Sequence, residues 1–256
     1  METPVLWQFA ISHYAEKARW ALDFKGVPYV RRSLLPGTHI RRIKKMTGQT
    51  ATPVLELDGD VIHDSTRVIA AIESKWSAPA LYPPDPKERE RALQLEDFFD
   101  EELGPYIRQW GYFLLLPYSS DVAARFTSQA GIGKRLFMRA IFPLIRPRMR
   151  KMMKIYPTEA EIARKKVIAA MDRIERELQP SGYLVGDRFT VADLTAAALL
   201  YPVWMPKEFP YPIPEPPAPV NAARAPLAEH PAAKWAAGIY RRHRGKSSAI
   251  KEETVI

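Results

Sequence analysis

Two domains are predicted from the sequence: an α+β amino-terminal domain with the element order β-α-β and then β-β-α, and an all-helical (all-α) carboxy-terminal domain. The first is indicated by an apolar strand, a helix and a second strand within residues 5–30, and by two short apolar strands and a helix within residues 53–75. Residues 77–86 contain four prolines and indicate a stiff linker, beyond which the apolar patterns are helical. We therefore place the domains at residues 1–78 and 87–256.

The elements of the amino-terminal domain follow from local signals. Residues 5–10 form an apolar run typical of a buried strand, and residues 15–25 carry their apolar side chains on one helical face. Gly26 fits the position just beyond a helix end, where left-handed backbone favours glycine. Asp58 and Gly59, between two short apolar runs, predict a tight hairpin turn.

The helices of the second domain are predicted from apolar spacing and capping signals. Residues 87–116 give one long helical pattern. Thr158 and Glu161 match the capping box, in which the hydroxyl and the acid three residues later each bind a backbone N–H group at a helix start. Thr190 and Asp193 repeat this pattern, so a helix is expected at each pair.

The rest of the second domain has less regular patterns. Residues 202–219 are too rich in proline for a regular helix or a central strand, so a loop is predicted. Residues 232–242 form a last helical pattern, and the polar tail after Gly245 is expected to be frayed. Pro143 and Pro147 should kink or break any helix that spans them.

The composition excludes several kinds of chemistry. The chain has no cysteine, which excludes disulfides, thiolate metal sites and a cysteine nucleophile. No histidine is spaced from another histidine or an acid as metal ligands are, so we predict no metal site and no permanently bound cofactor. No apolar run is long enough to span a bilayer.

The net charge of +9 is concentrated in one part of the chain, because residues 122–158 contain Lys and Arg but no Asp or Glu. A local basic face attracts anions of many kinds and identifies no partner, and we expect no nucleic-acid binding. Two interpretations of residues 131–154 stay open: a segment that lies on an anionic membrane surface, or a lid over a substrate pocket with a solvated basic rim. We favour the lid, because the segment lies between the first two long helices of the second domain.

Ser12 stands where the first strand turns into the first helix. Backbone N–H groups at a helix start are unpaired and favour anions. A serine there can donate a hydrogen bond to a bound thiolate, which lowers the pKa of the thiol and raises the fraction of nucleophile at neutral pH. The alternative is that Ser12 only caps the helix, and spacing alone favours this alternative.

Two further motifs stand at the start of a strand and of a helix. Pro53 opens a strand, and its bond to Thr52 is either trans, as most X–Pro bonds are, or cis, which would turn the preceding backbone outward to pair with a peptide ligand. Asp64 and Ser65 open a helix, where a hydroxyl and N–H groups suit a carboxylate ligand. Ordinary capping explains this second motif equally well.

Taken in order, these motifs resemble cytosolic glutathione transferases. The matching runs are Thr-Pro-Val-Leu at 52–55, Asp-Gly at 58–59, Asp-Ser at 64–65 and Gly-Asp-Arg-Phe-Thr-Val-Ala-Asp at 186–193. They fall where that family has its cis-proline, its hairpin turn, its acid–serine motif and its carboxy-terminal capping motif. The resemblance implies a thioredoxin-like first domain, and it leaves residues 122–156 and 202–219 poorly matched.

The resemblance also implies roles for individual residues. Ser12 matches the catalytic serine of the serine-type classes, such as zeta and theta, and the position that cysteine holds in the omega class. Thr52, before a cis Pro53, would pair with the cysteinyl backbone of glutathione. Asp64 and Ser65 would hold the γ-glutamyl carboxylate and nearby groups.

Other positions match less well or depart from the family pattern. His39 lies in the loop that often supplies a basic contact to the glycyl carboxylate of glutathione, which is a weaker match. Gln8 stands about where the tyrosine-type classes keep their catalytic tyrosine, so that mechanism is not expected. Ala51 replaces a Gln or Lys found in many members, so one glutathione contact is expected to be missing.

The resemblance implies that the helical domain supplies the pocket for the second substrate. The aromatic residues expected to line that pocket are Tyr14, Tyr106, Trp110 and Phe113, with Tyr112 as a further candidate. Packing within the helical core explains the aromatic residues at 106–113 equally well.

The predicted function is that of a glutathione transferase, in which reduced glutathione is the co-substrate and Ser12 stabilises its thiolate. The sulfur would attack a hydrophobic small molecule, in conjugation, isomerisation or peroxide reduction. The resemblance further implies a cytoplasmic homodimer, in which Asp97 or Asp100 would reach the partner's glutathione site. The alternative is a non-enzymatic binding or scaffolding module of the same fold, which Ala51 and the poorly matched segments favour.

Overall fold

The computed structural model describes residues 2–255 and contains one five-stranded sheet and a set of helices. The strands are β1 Val5–Gln8, β2 Tyr29–Leu34, β3 Val54–Leu57, β4 Asp60–His63 and β5 Ala249–Val255. The helices are α1 His13–Phe24, α2 His39–Thr47, α3 Ser65–Lys75, α4 Pro86–Glu102, α5 Gly104–Leu115, α6 Ser119–Phe126, α7 Ile132–Met152, α8 Pro157–Glu177, α9 Val191–Leu200, α10 Ala218–Ala228 and α11 Pro231–His243.

The sheet has the strand order β4-β3-β1-β2-β5. Strand β1 is parallel to β2 and antiparallel to β3, and β3 forms an antiparallel hairpin with β4. Asp58 and Gly59 in the hairpin turn have φ angles of 51° and 90°, as a two-residue turn of type I′ requires. The predicted β-α-β and β-β-α order and the helical second domain are confirmed, with α2 as an additional helix between β2 and β3.

The long helix predicted over residues 87–116 is interrupted at Leu103, between α4 and α5. Pro105 lies at this junction and has no N–H group for a continuing helical bond. The backbone here also passes close to α1, because a Cβ atom at Gly104 would overlap the hydroxyl of Tyr14. The interruption therefore lets the chain pack closely against the turn after β1.

Helix α7 runs from Ile132 to Met152 through Pro143 and Pro147, so of the predicted kink or break, the break does not occur. The two prolines are four residues apart and both are exposed. Residues at this spacing share one helical face, so both interruptions of the backbone bonding fall on the solvent side.

The two predicted capping boxes have different outcomes. The Thr190–Asp193 box is present at the start of α9. Helix α8 instead begins at Pro157, with Tyr156 as its N-cap residue, so the box predicted at Thr158 is wrong. Proline is favoured at the first helical position because its missing N–H group has no helical partner there.

The carboxy-terminal tail is not frayed as predicted, because it forms strand β5, parallel to β2 at the edge of the sheet. The Glu252 carboxylate accepts a hydrogen bond from Ser33 Oγ at 2.7 Å and pairs with Arg31 at 3.1 Å. These partners lie on β2 and were not recognisable from the polar composition of the tail.

The proline-rich loop 202–219 packs against α1 and contains one 3₁₀ turn at its start, Tyr201–Val203. The Arg19 guanidinium lies over the rings of Phe209 and Tyr211, at 5.3 and 5.0 Å from their centroids. Helix α10 begins at Ala218, within the last residues of the predicted loop, and was not predicted. No helix within residues 2–255 combines the length and the apolar character needed to cross a membrane.

Candidate active site

A cavity of about 770 Å³ lies where the start of α1 and the loop before β3 face helices α5, α7 and α10. Ser12 and Thr52 line one side, and Trp110, Ile141 and Val220 line the helical side. Most of the lining is apolar. A ligand in this cavity would therefore contact a strand-to-helix turn and apolar side chains at the same time.

Ser12 is the N-cap residue of α1, with extended backbone. Its Oγ accepts a hydrogen bond from the Ala15 N–H group at 3.2 Å, so Ser12 does cap the helix. This bond uses an oxygen lone pair and leaves the hydroxyl proton for another acceptor. Capping and donation to a bound thiolate are therefore compatible.

A buried polar network holds the turn around Ser12. Arg19 donates to Glu16 at 2.9 Å and to the side-chain oxygen of Gln8 at 2.6 Å, and its Nη2 lies 3.5 Å from the Ser12 carbonyl oxygen. Arg244 donates to the same Glu16 carboxylate at 2.5 Å. Gln8 is thus a structural partner of Arg19.

The bond between Thr52 and Pro53 is cis, as the resemblance implies and contrary to the general preference for trans. Thr52 lines the cavity and is half-buried, while Pro53 is buried beneath it. Ala51 is exposed and also lines the cavity. Thr52 is therefore positioned at the same opening as Ser12.

Asp64 and Ser65 lie at the start of α3 and do not line this cavity. Asp64 Oδ1 accepts hydrogen bonds from the N–H groups of Thr66 and Arg67, at 3.0 and 3.2 Å. Asp64 is exposed and Ser65 is buried. The capping alternative thus holds for Asp64, whose φ of 77° also places it in the left-handed region.

Asp100, expected to reach a partner subunit, is engaged within its own chain. Its Oδ2 accepts from Lys17 Nζ at 2.5 Å and from Thr66 Oγ1 at 2.8 Å. Lys17 is fully buried and also pairs with Glu96 at 3.2 Å. This network ties α1 and α3 to α4 beside the candidate site.

His39 lines the cavity, but its ring is arranged as a neutral donor to the backbone. Nδ1 lies 3.3 Å from the Leu35 carbonyl oxygen, and a carbonyl only accepts, so Nδ1 carries the proton. Burial lowers the pKa of His39. The basic contact expected here would require protonation of Nε2, which burial disfavours.

His13 and Tyr14 leave the same turn and both line the cavity. His13 Nε2 donates to the Gly104 carbonyl oxygen at 3.0 Å, and the Tyr14 hydroxyl donates to the Asp100 carbonyl oxygen at 2.8 Å. Burial, together with the positive charge of Arg108, lowers the pKa of His13 to about 3. His13 is therefore neutral and fixed in one orientation, and burial likewise raises the pKa of Tyr14.

Of the four aromatic residues predicted for the second-substrate pocket, Tyr14 and Trp110 line the cavity and Tyr106 and Phe113 do not. Tyr106 and Phe113 are seven residues apart and share a face of α5 that points away from the cavity. Tyr106 instead lies under Lys166 Nζ, with 5.6 Å to the ring centroid. Tyr106 and Phe113 thus lie outside the cavity, whereas Tyr112 lines it, because the sequence does not show which face of α5 borders the cavity.

Helix α7 forms one wall of the cavity, as the lid interpretation requires. Ile141, Ile145 and Met149, spaced four residues apart, face the cavity. Leu136 and Leu144 are exposed on the same helix, at 62% and 81%. The segment thus places apolar side chains both over the cavity and toward solvent.

Sequence reasoning missed two buried arginines at the cavity. Arg125 on α6 and Arg224 on α10 are 3% and 8% exposed and both line it. Both lie outside residues 131–154, for which the solvated basic rim was predicted. The absence of acids over residues 122–158 was the available signal, since it leaves Arg125 few local partners. Within residues 2–255, no three His, Asp or Glu side chains cluster as metal ligands would.

Two family models match the chain, and the second covers residues 140–156 and 202–219, for which a poor match was expected. The model of the glutathione S-transferase N-terminal domain matches residues 6–80, and that of the C-terminal domain matches residues 140–230. A comparison with curated proteins finds no match.

Solved structures share this fold at low sequence identity. The beta-etherase LigF from Sphingobium sp. strain SYK-6 is 20% identical with a TM-score of 0.61, covering 92% of this chain and 98% of its own. The theta class glutathione S-transferase from Xanthomonas axonopodis pv. citri, solved with glutathione bound, is 19% identical with a TM-score of 0.59, covering 97% and 100%. Maleyl pyruvate isomerase, a bacterial zeta class member, is 22% identical with a TM-score of 0.56, covering 92% and 97%. The order of elements, the cis-proline before β3 and the two matching family models together show that this chain belongs to the glutathione S-transferase superfamily.

Proposed function

We propose that this protein is a glutathione-dependent transferase in which Ser12 stabilises the glutathione thiolate. The observation that carries the proposal is that Ser12 and Thr52 open onto one cavity whose remaining walls are largely apolar. A tripeptide thiol paired with the Thr52 backbone would then share the cavity with an apolar second substrate. We include in the proposal the homodimer and the cytoplasmic location that the family resemblance implies.

In the proposed reaction, the Ser12 hydroxyl donates its free proton as a hydrogen bond to the sulfur anion. Donation to the charged form lowers the thiol pKa, so that more thiolate is present at neutral pH. The thiolate then forms a bond to an electrophilic carbon, whose leaving group or π-electron pair takes the displaced charge. Ser12 keeps its proton throughout and acts by electrostatic stabilisation.

His13 is not the base in this mechanism, although it follows Ser12 in the sequence. Its Nε2 proton is already donated to the Gly104 carbonyl oxygen, and its pKa is lowered to about 3 by burial and by Arg108. A ring with so low a pKa is a weak base at neutral pH and does not take the Ser12 proton. This arrangement supports a hydroxyl-to-thiolate mechanism over a serine–histidine hydrolase.

The test compares the wild type with Ser12→Ala and Ser12→Thr. For Ser12→Ala we expect kcat/KM with an activated electrophile to fall about ten- to hundredfold, as one hydrogen bond to a charged group is lost. The pKa of bound glutathione, read from the pH dependence of thiolate absorbance, should rise. Ser12→Thr keeps a hydroxyl and should retain most of the activity.

Glutathione affinity, measured by calorimetry, separates the alternatives. Unchanged turnover in Ser12→Ala would refute the serine mechanism. Tight glutathione binding without turnover on any electrophile in a broad panel would refute the transferase assignment. No glutathione binding by the wild type would favour the non-enzymatic module, for which the exposed Ala51 in place of a longer polar residue is the supporting feature.

A further inference from the structure

Arg125 and Arg224 face the cavity without a carboxylate partner. Nε and Nη2 of Arg125 are buried and have no hydrogen-bond partner. Arg224 donates from Nε to the Val203 carbonyl oxygen at 2.9 Å, and its terminal nitrogens make no hydrogen bond or ion pair within residues 2–255. Both residues line one cavity, and no carboxylate of the described residues pairs with either guanidinium group.

The other deeply buried cations of this chain are all paired. Lys17 binds Glu96 and Asp100, Arg19 binds Glu16, and Arg244 binds Glu16 and Asp23. A buried charge without a partner is strongly unfavourable, which is why proteins rarely keep one. The exception at Arg125 and Arg224 therefore calls for an anion that is not part of the chain.

No acidic side chain among the described residues replaces that anion. None of the residues lining the cavity is Asp or Glu. The charges of Asp121 and Glu215 act on Arg125, yet neither acid forms an ion pair with it, and Glu215 accepts a hydrogen bond from Asn221 at 2.9 Å. The cavity is therefore positively charged on the wall formed by α6 and α10.

Both arginines remain charged at neutral pH despite their burial. Burial lowers the pKa of Arg125, and burial together with the charge of Arg125 lowers the pKa of Arg224 to about 10. In a largely apolar cavity the field of two such charges is weakly screened. A guanidinium also offers parallel N–H groups that match a carboxylate.

We propose that Arg125 and Arg224 bind the carboxylate of the second substrate, so that this protein acts on apolar organic acids. The proposal rests on the proposed function, in that it takes the cavity as the second-substrate site beside Ser12. The apolar part of the acid would lie along α5 and α7, with its carboxylate on the α6–α10 wall.

The test measures ligand binding without glutathione and without turnover. Calorimetry with 4-phenylbutyrate and its alcohol, 4-phenylbutanol, compares two ligands that differ in the carboxylate. We expect the wild type to bind the acid at least about tenfold more tightly, as a hydrogen-bonded charged pair implies. Arg125→Met and Arg224→Met should each remove most of this difference, while Arg139→Met, at an exposed position of α7 outside the cavity, should preserve it.

The melting temperature of the Arg125 variants distinguishes a ligand-binding role of this residue from a structural one. Because Arg125 is buried without a partner for Nε and Nη2, we expect Arg125→Met to melt at the wild-type temperature or above it. Arg125→Lys keeps the positive charge but lacks the parallel N–H groups of the guanidinium, and it should retain part of the preference for the acid. The Lys variant serves as the second test if Arg125→Met does not fold.

Three results would overturn the proposal. One is equal affinity of the wild type for the acid and the alcohol, and another is a preference that survives both Met substitutions. The third is a loss of glutathione affinity in Arg125→Met with unchanged 4-phenylbutyrate binding, which would assign the arginines to a glutathione carboxylate. These outcomes are independent of whether Ser12→Ala abolishes turnover, so the carboxylate site and the serine mechanism can fail separately.

Discussion

Neighbouring side chains at the turn after β1 differ in their burial and in their hydrogen bonds. Ser12 is half-exposed and keeps a free proton, whereas the next residue, His13, is buried and donates to Gly104. The difference follows from helix geometry, since consecutive residues point in directions about 100° apart. The same turn can therefore offer one side chain to a ligand and use the other to fasten α1 to α5.

The lowered pKa of His13 predicts an acid-labile contribution to stability. The unfolded chain takes up a proton at His13 near pH 6.5, while the folded protein does so only near pH 3. Stability from this residue is therefore present above pH 6.5 and is lost as the pH falls toward 3. Between pH 7 and pH 4 the loss should be about 3 kcal/mol.

His13→Gln tests this, because the Gln side-chain amide can still donate to the Gly104 carbonyl oxygen without titrating. In urea denaturation, the free energy of unfolding of His13→Gln should fall less steeply between pH 7 and pH 4 than that of the wild type. His63→Gln, on β4, is the matched control and should follow the wild-type curve. Parallel curves for His13→Gln and the wild type would contradict the lowered pKa.

Among the elements, α9 depends most on the network at its first turn. All its residues are buried, and Asp193 accepts hydrogen bonds from the N–H groups of Leu184 and Thr190 and from the Thr190 hydroxyl, at 2.8 to 2.9 Å. Removing this carboxylate would leave three buried donors without an acceptor. The family's carboxy-terminal capping motif thus also joins α9 to the loop that precedes it.

Asp193→Ala should lower the free energy of unfolding by about 3 kcal/mol, because a helix cap and further buried hydrogen bonds are lost together. Asp187→Ala is the matched control in the same motif. Asp187 is exposed and pairs only with its neighbour Arg188, so its loss should change stability by less than about 0.5 kcal/mol. Urea denaturation of both variants measures the difference, and equal stabilities would show that the cap contributes little.

The elements also show what could be predicted from sequence. The Thr190 box and the Asp58-Gly59 turn depend on local spacing and were predicted correctly. The Thr158 box has the same local pattern but does not form, because the helix already begins at Pro157. Strand β5 could not be predicted, because its polar sequence becomes a strand only beside the free edge of β2.

The same limit applies to the candidate site. Ser12 and Thr52 were selected through the family resemblance, since local spacing alone favoured capping and a trans proline, and both line the cavity. The positions of Tyr106 and Phe113 outside the cavity and the burial of Arg125 could not be predicted, because they depend on how α5, α6 and α7 pack. Tertiary contacts between distant segments determine which face of a helix lines the cavity. Apolar periodicity alone does not predict that face.

Across the whole molecule, the end of the chain returns to the first helix. Arg244 pairs with Glu16 and Asp23, and Asp23 Oδ1 also accepts from the Ser248 N–H group at 2.7 Å and from Ser247 Oγ at 3.1 Å. Strand β5 then covers β2, which would otherwise be an edge strand. The last residues of the chain thus stabilise the helix whose start carries Ser12.

Deletion of residues 249–256 tests this closure while leaving the Arg244 and Ser248 contacts in place. The truncated protein would expose the β2 edge and leave Arg31 and Ser33 without Glu252. We expect a loss of about 3 kcal/mol in the free energy of unfolding, or a fall in melting temperature of about 6–12 °C for a chain of this size.

An exposed edge also pairs with other chains, so light scattering of the truncated protein should show self-association beyond the full-length state. The double substitution Lys251→Ala, Glu253→Ala keeps the strand and the Glu252 contacts, and removes only the exposed ion pairs of Glu253 with Lys251 and Arg32. It should behave as the full-length protein, because exposed ion pairs contribute little to stability. A truncated protein with the full-length melting temperature and oligomeric state would mean that β5 contributes nothing to the closure of the sheet.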